Sequence, residues 1–434
     1  MIGRVMFKSL LIRVVILMLS SFIIIISACD SISKSSKNNS TKKVVLRLNP
    51  SPKNPRNSEG DFITLKDGRI LFIYTHFTEG SGDHAGAHLA SRVSSNRGES
   101  WSTDDVTVIP NEGGMNVMSV SLLRLLDDRI ALFYCLKNSE QDCRPLMRIS
   151  SDEGDSWSDG QKCIDKTGYY VLNNDRVIQL ENGRLILPVA LHNYPGSKWS
   201  NTAKIMCWYS DDIGDTWNKS AGAANPENVV LQEPGLIARK NGELMMFIRT
   251  DTDVQYFSYS KDQGKSWSDV EASNITSPLS PASIERIPAT GDLLMLWNNN
   301  KQSGNVGGLR TPYNCAISKD DGITWQKTKT IESDPRGWYC YTAIEFVDDH
   351  VLFSQALNGL INKFEGYTVI SQLINGQEVI DYFEANKEPA PIVLMDVNMP
   401  ILNGFQSSLK IHKYCKKHNV HKIPILAASA NITA

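Results

Sequence analysis

At 434 residues with a formal net charge of −2 and 21% charged side chains, the chain can bury a large core and has no excess of basic residues. That balance argues against a nucleic-acid partner and against a polybasic membrane surface. Eight cysteines, at 29, 135, 143, 163, 207, 315, 340 and 415, show no metal-ligand spacing and no CxxC pair; if the chain is exported, Cys143 and Cys163 are the nearest plausible disulfide partners, although sequence alone cannot pair them.

The first 28 residues have a basic start (Arg4, Lys8, Arg13), an apolar run from Val14 to Ile26, and then Ile26-Ser27-Ala28-Cys29. This reads as an export signal. The small residues before Cys29 resemble a bacterial lipobox, which implies a lipidated Cys29 and a lipid-anchored protein of the bacterial cell envelope, periplasmic or surface-facing. An uncleaved membrane anchor is the alternative, although the apolar run is short for a span. Residues 29–42 form a polar Ser/Asn/Lys tether with nothing to bury. A short strand-like run follows at Val44–Leu48.

From there two repeats alternate. One is a hairpin, seen six times: DFITLKDGRILFIY, VSLLRLLDDRIALFY, RVIQLENGRLILPVA, GLIARKNGELMMFI, SIERIPATGDLLMLW and AIEFVDDHVLFSQ. Each has an alternating strand, an Asp/Asn/Gly turn and a second apolar strand. The other is Ser-x-Asp-x-Gly-x-x-Trp, starting at Ser94 (with Asn96 in the Asp place), Ser150, Ser210, Ser260 and Ser318, at spacings of 56, 60, 50 and 58 residues. It reads as a turn between two strands, in which Asp bonds backbone, Gly supplies a positive φ and Trp covers a neighbouring sheet. A period of this size suits one four-stranded antiparallel unit, and six units around an axis predict an all-β, six-bladed β-propeller over residues 43–360. The sixth blade lacks the Ser/Asp/Gly/Trp turn and is short of strands, so Val44–Leu48 is a candidate for its closing strand. Residues just before each hairpin should ring one mouth of the central channel.

The five turns are similar to Asp boxes, and the chain is identified by them as a member of the sialidase (neuraminidase) superfamily. Asp boxes mark a fold and carry no chemistry. What the resemblance implies about chemistry rests on the ring. Glu233, Arg249 (16 residues on), Arg310 and Tyr339 (29 residues after Arg310) follow the order and approximate spacing of the family's base, second arginine, third arginine and nucleophile. Arginine grips a carboxylate bidentately where lysine cannot. A neutral tyrosine, activated by Glu233, can approach a carboxylated sugar that would repel an anionic nucleophile. Tyr341, on the same strand face, is the alternative nucleophile. Asp83, in the blade-one loop HFTEGSGDHAGAHLA, stands where the family has its acid/base residue, with His84 the alternative and a plain Gly-Asp turn the bland reading. The first arginine is open between Arg56 and Arg176. Arg56 lies in RNSEGDF where the family has Arg-Ile-Pro, and Glu59 and Asp61 bring unexpected negative charge. Asp175 and Asn116 are further candidate substrate contacts, and Asp142 and Arg144 weaker ones.

Residues 364–434 resemble a partial response-regulator receiver, an α/β unit. IVLMD ends in Asp396 at the phosphoacceptor position, followed by Met399-Pro400, Gly404 and, in HKIPILAASANIT, Ser429 at the switch hydroxyl. The paired acids that hold Mg²⁺ are missing before Gly366, and the run stops short of the strand bearing the family's lysine, so Asp396 is expected to be inactive. Receivers also work with cytoplasmic kinases, which conflicts with an export signal.

The expectation is a monomeric, exo-acting, retaining hydrolase of terminal carboxylated sugars on glycans, without metal or cofactor. The alternatives are the same machinery on another sugar, or a noncatalytic glycan-binding propeller.

Overall fold

The computed structural model describes residues 43–301, 310–347, 393–396, 404–417 and 425–428. Cys29, the leader, the tether up to residue 42, most of the sixth hairpin and Ser429 lie outside the described residues. The chain from 43 to 347 is nearly all β. Blade one is β1 (Arg56–Thr64), β2 (Ile70–Phe77), β3 (Ala87–Ser94) and β4 (Val106–Ile109), paired in that order. Blades two and three join in one nine-stranded sheet. Blade two has β5 (Asn116–Arg124), β6 (Ile130–Ser139), β7 (Asp142–Ser150) and β8 (Gln161–Lys162); blade three has β9 (Tyr169–Val171), β10 (Ile178–Gln179), β11 (Leu185–Asn193), β12 (Lys204–Ser210) and β13 (Asn218–Lys219). The seam between them is the parallel contact of Cys143 with Tyr169. Blade four is β14 (Leu231–Ala238), β15 (Leu244–Thr250), β16 (Val254–Ser260) and β17 (Glu271–Thr276), and blade five is β18 (Ser283–Arg286), β19 (Leu293–Asn298), β20 (Tyr313–Ser318) and β21 (Gln326–Glu332).

Five of the six expected hairpins thus form antiparallel units. The sixth does not appear as a sheet among the described residues: 341–347 have no strand partner. They are nonetheless seated between blades five and one, because Ser283 Oγ donates to Thr342 O at 2.5 Å and Glu345 accepts from Thr64 N at 2.7 Å and Thr64 Oγ1 at 2.6 Å. Val44–Leu48 is coil and pairs with no sheet.

The Asp boxes are the turns the sequence predicts. In the second copy, Ser150 Oγ donates to Asp152 Oδ1 at 2.8 Å and accepts from Gly154 N at 2.8 Å, while Asp152 Oδ1 accepts from Ser156 N at 2.9 Å. Asn96 takes the same role in the first copy, accepting from Ser100 N at 2.8 Å. The second to fifth turns pack on the preceding blade. Trp157 joins the apolar cluster containing Leu71 and Ile73 of blade one, and Trp217 meets Phe133 of blade two edge-on at 6.4 Å. The glycine brings backbone close: a Cβ on Gly214, at φ 92°, would stand 2.1 Å from Met147. The Trp of blade one has no such predecessor sheet. Trp101 lies instead against its own blade's Phe62 and Phe72.

Cys143 and Cys163 are buried free thiols, so the suggested disulfide is not formed. In the C-terminal segment, β22 (Val393–Asp396) pairs in parallel with β23 (Ile425–Ala428), joined through α1 (Gly404–Lys417). This is the strand–helix–strand expected there, with Asp396 at the strand's end.

Carboxylates stitch the inner strands. Asp61 accepts from Leu122 N at 2.7 Å, linking blades one and two, and Asp175 accepts from Ile344 N at 3.1 Å, linking blade three to the sixth segment. Burial, with Arg176 opposing it, raises the Asp175 carboxyl to about 6. Its neighbours Asp61, Glu285 and Glu345 are raised as well, burial first and Asp175's charge adding to each. A carboxyl raised on folding stabilises the fold fully below its unfolded value, and that contribution is lost as pH rises toward 6. Asp175→Asn retains an oxygen that can accept from Ile344 N. The variant is expected to gain on the order of 2 kcal/mol at pH 7.5, a gain that vanishes near pH 3.5, read from urea unfolding at the two pH values.

Candidate active site

The inner strands share a distortion that aims side chains inward. Glu59, Ser119, Asp175, Glu233 and Tyr341, one in each of blades one to four and one in the sixth segment, adopt left-handed φ of 51°, 63°, 55°, 48° and 58°. In β1, β5 and β14 the left-handed residue lies at a register break, Ser58/Asp61, Met118/Ser121 and Gln232/Gly235. Bulges re-aim side chains at the ends of strands, and strain in non-glycine residues persists only where surrounding structure enforces it. Gly235 permits the break, since a Cβ there would stand 2.2 Å from the Phe247 ring.

Glu233 and Tyr341, both at such positions, meet: Tyr341 Oη donates to Glu233 Oε1 at 3.1 Å. The other carboxylate oxygen takes Arg249 Nη1 at 2.6 Å. Burial alone would raise the Glu233 carboxyl, but Arg249, Arg310 and the Tyr341 hydroxyl outweigh it and hold it below its ordinary value. Burial and the Glu233 charge raise the Tyr341 phenol, against Arg249 and Arg310. Arg310 lies 5.1 Å from the Tyr341 ring and 4.8 Å from Trp338. Among the described residues its buried Nη1 has no hydrogen-bond partner. Such an orphaned cationic donor suits an incoming anion.

The expected nucleophile needs correction. Tyr339 is near Tyr313, ring to ring 6.2 Å, and its ring fills the space that a side chain at Gly337 would need. Tyr341 instead reaches Glu233, and its left-handed φ of 58° separates two positions that strand alternation alone would put on one face.

Arg56 and Asp83 form one cluster. Arg56 Nη1 bonds Asp83 Oδ1 at 2.5 Å, and Nη2 bonds Glu59 Oε1 at 3.2 Å and Ser58 Oγ at 3.1 Å. Burial works to raise the Asp83 carboxyl, but the Arg56 hydrogen bond and charge, with Lys137 and His84, hold it low. Its loop is fixed from below: Asn116 Nδ2 donates to Asp83 O at 2.9 Å and Ala85 O at 2.8 Å, and the buried Lys137 Nζ donates to Asp83 O at 2.7 Å. Asn116 is thus a brace under the loop, fully buried. Arg56, Asp83, Arg310 and Tyr341 line one cavity of about 940 Å³ that continues over Phe72 and Trp101 of blade one.

Arg176 and Asp175 are elsewhere. Arg176 is buried, donating to Ala282 O at 2.7 Å and Asp175 O at 3.2 Å, with its guanidinium 5.3 Å from the Phe247 ring. Asp142 and Arg144 pair with each other at 2.6 Å and do not line the cavity. Lys137 and Trp338 went unselected in the sequence; a lysine ending the apolar run IALFYCLK was a usable signal for the first. Among the described residues no group of three His, Cys, Asp or Glu could hold a metal ion.

Residues 104–353 match the BNR repeat-like domain family. The chain belongs to that family. Residues 344–434 match the response regulator receiver domain. Curated relatives of this BNR chain include a sialidase of Paraclostridium sordellii, 28% identical over 206 residues, 41% of this chain and 48% of the relative. Another is a protein-glutamate methylesterase/protein-glutamine glutaminase of Colwellia psychrerythraea, 37% identical over 65 residues, 15% of this chain and 17% of that protein. The chain therefore spans about half of the first relative and a sixth of the second. Similar solved structures are a leech intramolecular trans-sialidase (TM-score 0.56, 14% identity, 74% of this chain and 67% of that one) and the NanB sialidase of Streptococcus pneumoniae (0.56, 14%, 71% and 66%). A Dyadobacter fermentans protein of unknown function is also similar (0.53, 18%, 66% and 85%). At these identities the likeness shows a sialidase-like fold.

Removing one partner of the buried Glu233–Arg249 pair leaves an uncompensated charge. Arg249→Met is expected to cost about 3 kcal/mol at pH 7. Glu233's lowered carboxyl contributes stability that is lost as pH falls, so the cost should shrink from pH 7 to pH 4, because acid neutralises the unpaired Glu233 of the variant before the Arg249-paired carboxylate of the wild type. Urea denaturation at both pH values checks it.

Proposed function

We propose that this chain is an exo-acting, retaining glycosidase of the sialidase type that removes a terminal carboxylated sugar from glycans, working on a six-bladed propeller closed by its sixth segment. The observation that carries the reading is the Tyr341–Glu233–Arg249 chain of contacts beside a cavity lined by Arg56, Arg310 and Asp83. A binding module has no need of a tyrosine hydrogen-bonded to a buried carboxylate beneath arginines.

In this reading Arg56, Arg249 and Arg310 hold the substrate carboxylate, and Arg56 is preferred over Arg176 as the first arginine because it lines the cavity. Tyr341 Oη attacks the anomeric carbon while Glu233 accepts its proton, and the bond to the leaving oxygen breaks as Asp83 donates a proton to it. Water then attacks the tyrosyl–sugar bond with Asp83 as base, and Glu233 returns its proton to the phenolate. Asp83 must be protonated for the first step, yet Arg56 holds it ionised in the free protein. The substrate's carboxylate resolves this by competing for Arg56. Released and left beside a second negative charge, Asp83 rises in pKa and becomes an acid.

Glu59, bound to Arg56 and hydrogen-bonded by Ser119 Oγ at 2.8 Å, favours a second reading in which the same machinery accepts another sugar, acidic or neutral, since it withholds part of Arg56 from a carboxylate. We further propose a monomer lipid-anchored through Cys29 in the bacterial envelope, with a receiver-like segment in which Asp396 accepts no phosphoryl group.

The test is release of a fluorescent aglycone from sialosides, other ulosonides and neutral glycosides by the full chain. Tyr341→Phe is expected to lower kcat/KM by about a thousandfold or more, whereas Tyr339→Phe stays within about threefold. A folded wild-type protein inert on every substrate would sink the glycosidase reading.

A further inference from the structure

A buried cation stands behind the Asp83 loop. Lys137, 3% exposed, donates from Nζ to Asp83 O at 2.7 Å and to Met118 Sδ at 3.1 Å, with Nζ 5.5 Å from the centre of the Tyr169 ring. These partners are a carbonyl, a thioether and an aromatic face, and none carries a formal negative charge. An ammonium buried among such groups costs stability that a hydrophobe of the same length would not. The compensating gain lies in what Nζ does for the loop.

The placement is specific. Lys137 on β6 and Asn116 on β5 are cross-strand partners, so both side chains leave blade two on one face. Both reach the same atom of blade one: Asn116 Nδ2 donates to Asp83 O at 2.9 Å, beside its second bond to Ala85 O at 2.8 Å. The loop's own closures are Thr78 N to Gly86 O at 2.8 Å and Ala85 N to Gly82 O at 2.9 Å. Asp83 is therefore clamped at its main chain by two buried donors, while its side chain, 62% exposed, reaches Arg56 and the cavity.

We propose that Lys137 is a positioning residue for Asp83: Nζ pins the main chain so that the carboxyl passes from Arg56 to the leaving oxygen by side-chain rotation alone. The anchoring does not depend on what the cavity binds; the benefit to the acid rests on the glycosidase reading. The charge has a second use. Arg56, Lys137, His84 and Glu59 are the charged or titratable groups facing Asp83, and of its cations Arg56 is the one that the substrate's carboxylate draws away. Lys137 is buried and stays, so it limits how far the carboxyl rises and keeps it able to act as base in the second step.

The experiment compares the full wild-type chain with Lys137→Met, which fills the same volume and leaves Asp83 O its bond from Asn116. The amides of Thr78 and Ala85 should exchange hydrogen at least about tenfold faster in the variant, with protection of the β5–β6 pairing unchanged. Unchanged exchange in the loop overturns the anchor. Hydrolysis then tests the acid. An aryl sialoside leaves with little help from an acid and sialyllactose needs it, so kcat/KM should fall on sialyllactose at least about tenfold more than on the aryl sialoside. The basic limb of kcat on sialyllactose should also move up by about half a unit or more, since losing a cation favours the protonated carboxyl. Equal losses on the two substrates, or an unmoved pH profile, would overturn the positioning role and leave Lys137 a structural residue. A wild type inert on both substrates would end the glycosidase reading and the acid's positioning with it, while the exchange result would still decide the anchor.

Discussion

Between residues 56 and 332 each sheet buries apolar side chains against the next sheet. The Asp box is the device that enforces this. Its Ser–Asp bonds fix the turn, its glycine removes the Cβ that would strike the preceding blade, as at Gly214 against Met147, and its tryptophan seals the joint, as Trp217 does against Phe133. Stability is then handed from blade to blade rather than held in one core, and four separate apolar clusters follow the joints. The same logic explains blade one. No sheet precedes it among the described residues, so Trp101 rests on Phe62 and Phe72 of its own sheet, beside the cavity lined by Arg56 and Tyr341.

That architecture was legible because it is periodic. Five turns at near-equal spacing and six hairpins out of phase with them determine strand order with no long-range information. The site was legible in composition but not in aim. Glu233, Arg249, Arg310, Arg56 and Asp83 were identified from order and spacing, and four of these five contact or flank Tyr341 or its hydrogen-bonded partner. Tyr339 is favoured by the register of WYCYTAIEF against the family's pattern, with Tyr341 the alternative on the same strand face, and the left-handed residue at 341 separates the two. No residue type announces such a position. Glu, Ser, Asp and Tyr fill it in different blades, so the signal is structural equivalence among repeats, which alignment of the hairpins alone does not expose. Arg176 and Asp175 misled for a related reason: they occupy the right place in their repeat, yet Arg176 turns to Ala282 O and the Asp175 carboxylate to Ile344 N.

The left-handed positions also connect fold to charge. A bulge places a side chain where three carboxylates and three arginines can crowd together, and the crowding is tolerable because each anion has a cation: Glu233 with Arg249, Asp83 and Glu59 with Arg56. Buried charges without partners would be too costly to keep. Arg310 Nη1 and Arg249 Nε are buried and left unmatched among the described residues. The free site thus has its anions paired and unused donors on two of its cations, which is the asymmetry expected of a pocket awaiting a negatively charged group.

The two family matches overlap at residues 344–353, and hydrogen bonds decide the ownership of the start of that stretch. Ile344 N is bound by Asp175 of blade three and Glu345 by Thr64 of blade one, so these residues act as the inner edge of the sixth unit. A receiver strand would need a parallel neighbour; among the described residues 341–347 has none. The parallel pairing that a receiver requires begins only with Val393–Asp396 against Ile425–Ala428. A shared sequence stretch is therefore not a shared structural role: the contacts that seat residues 344 and 345 lie on two propeller blades, and losing them would open blade one and blade three toward the sixth position.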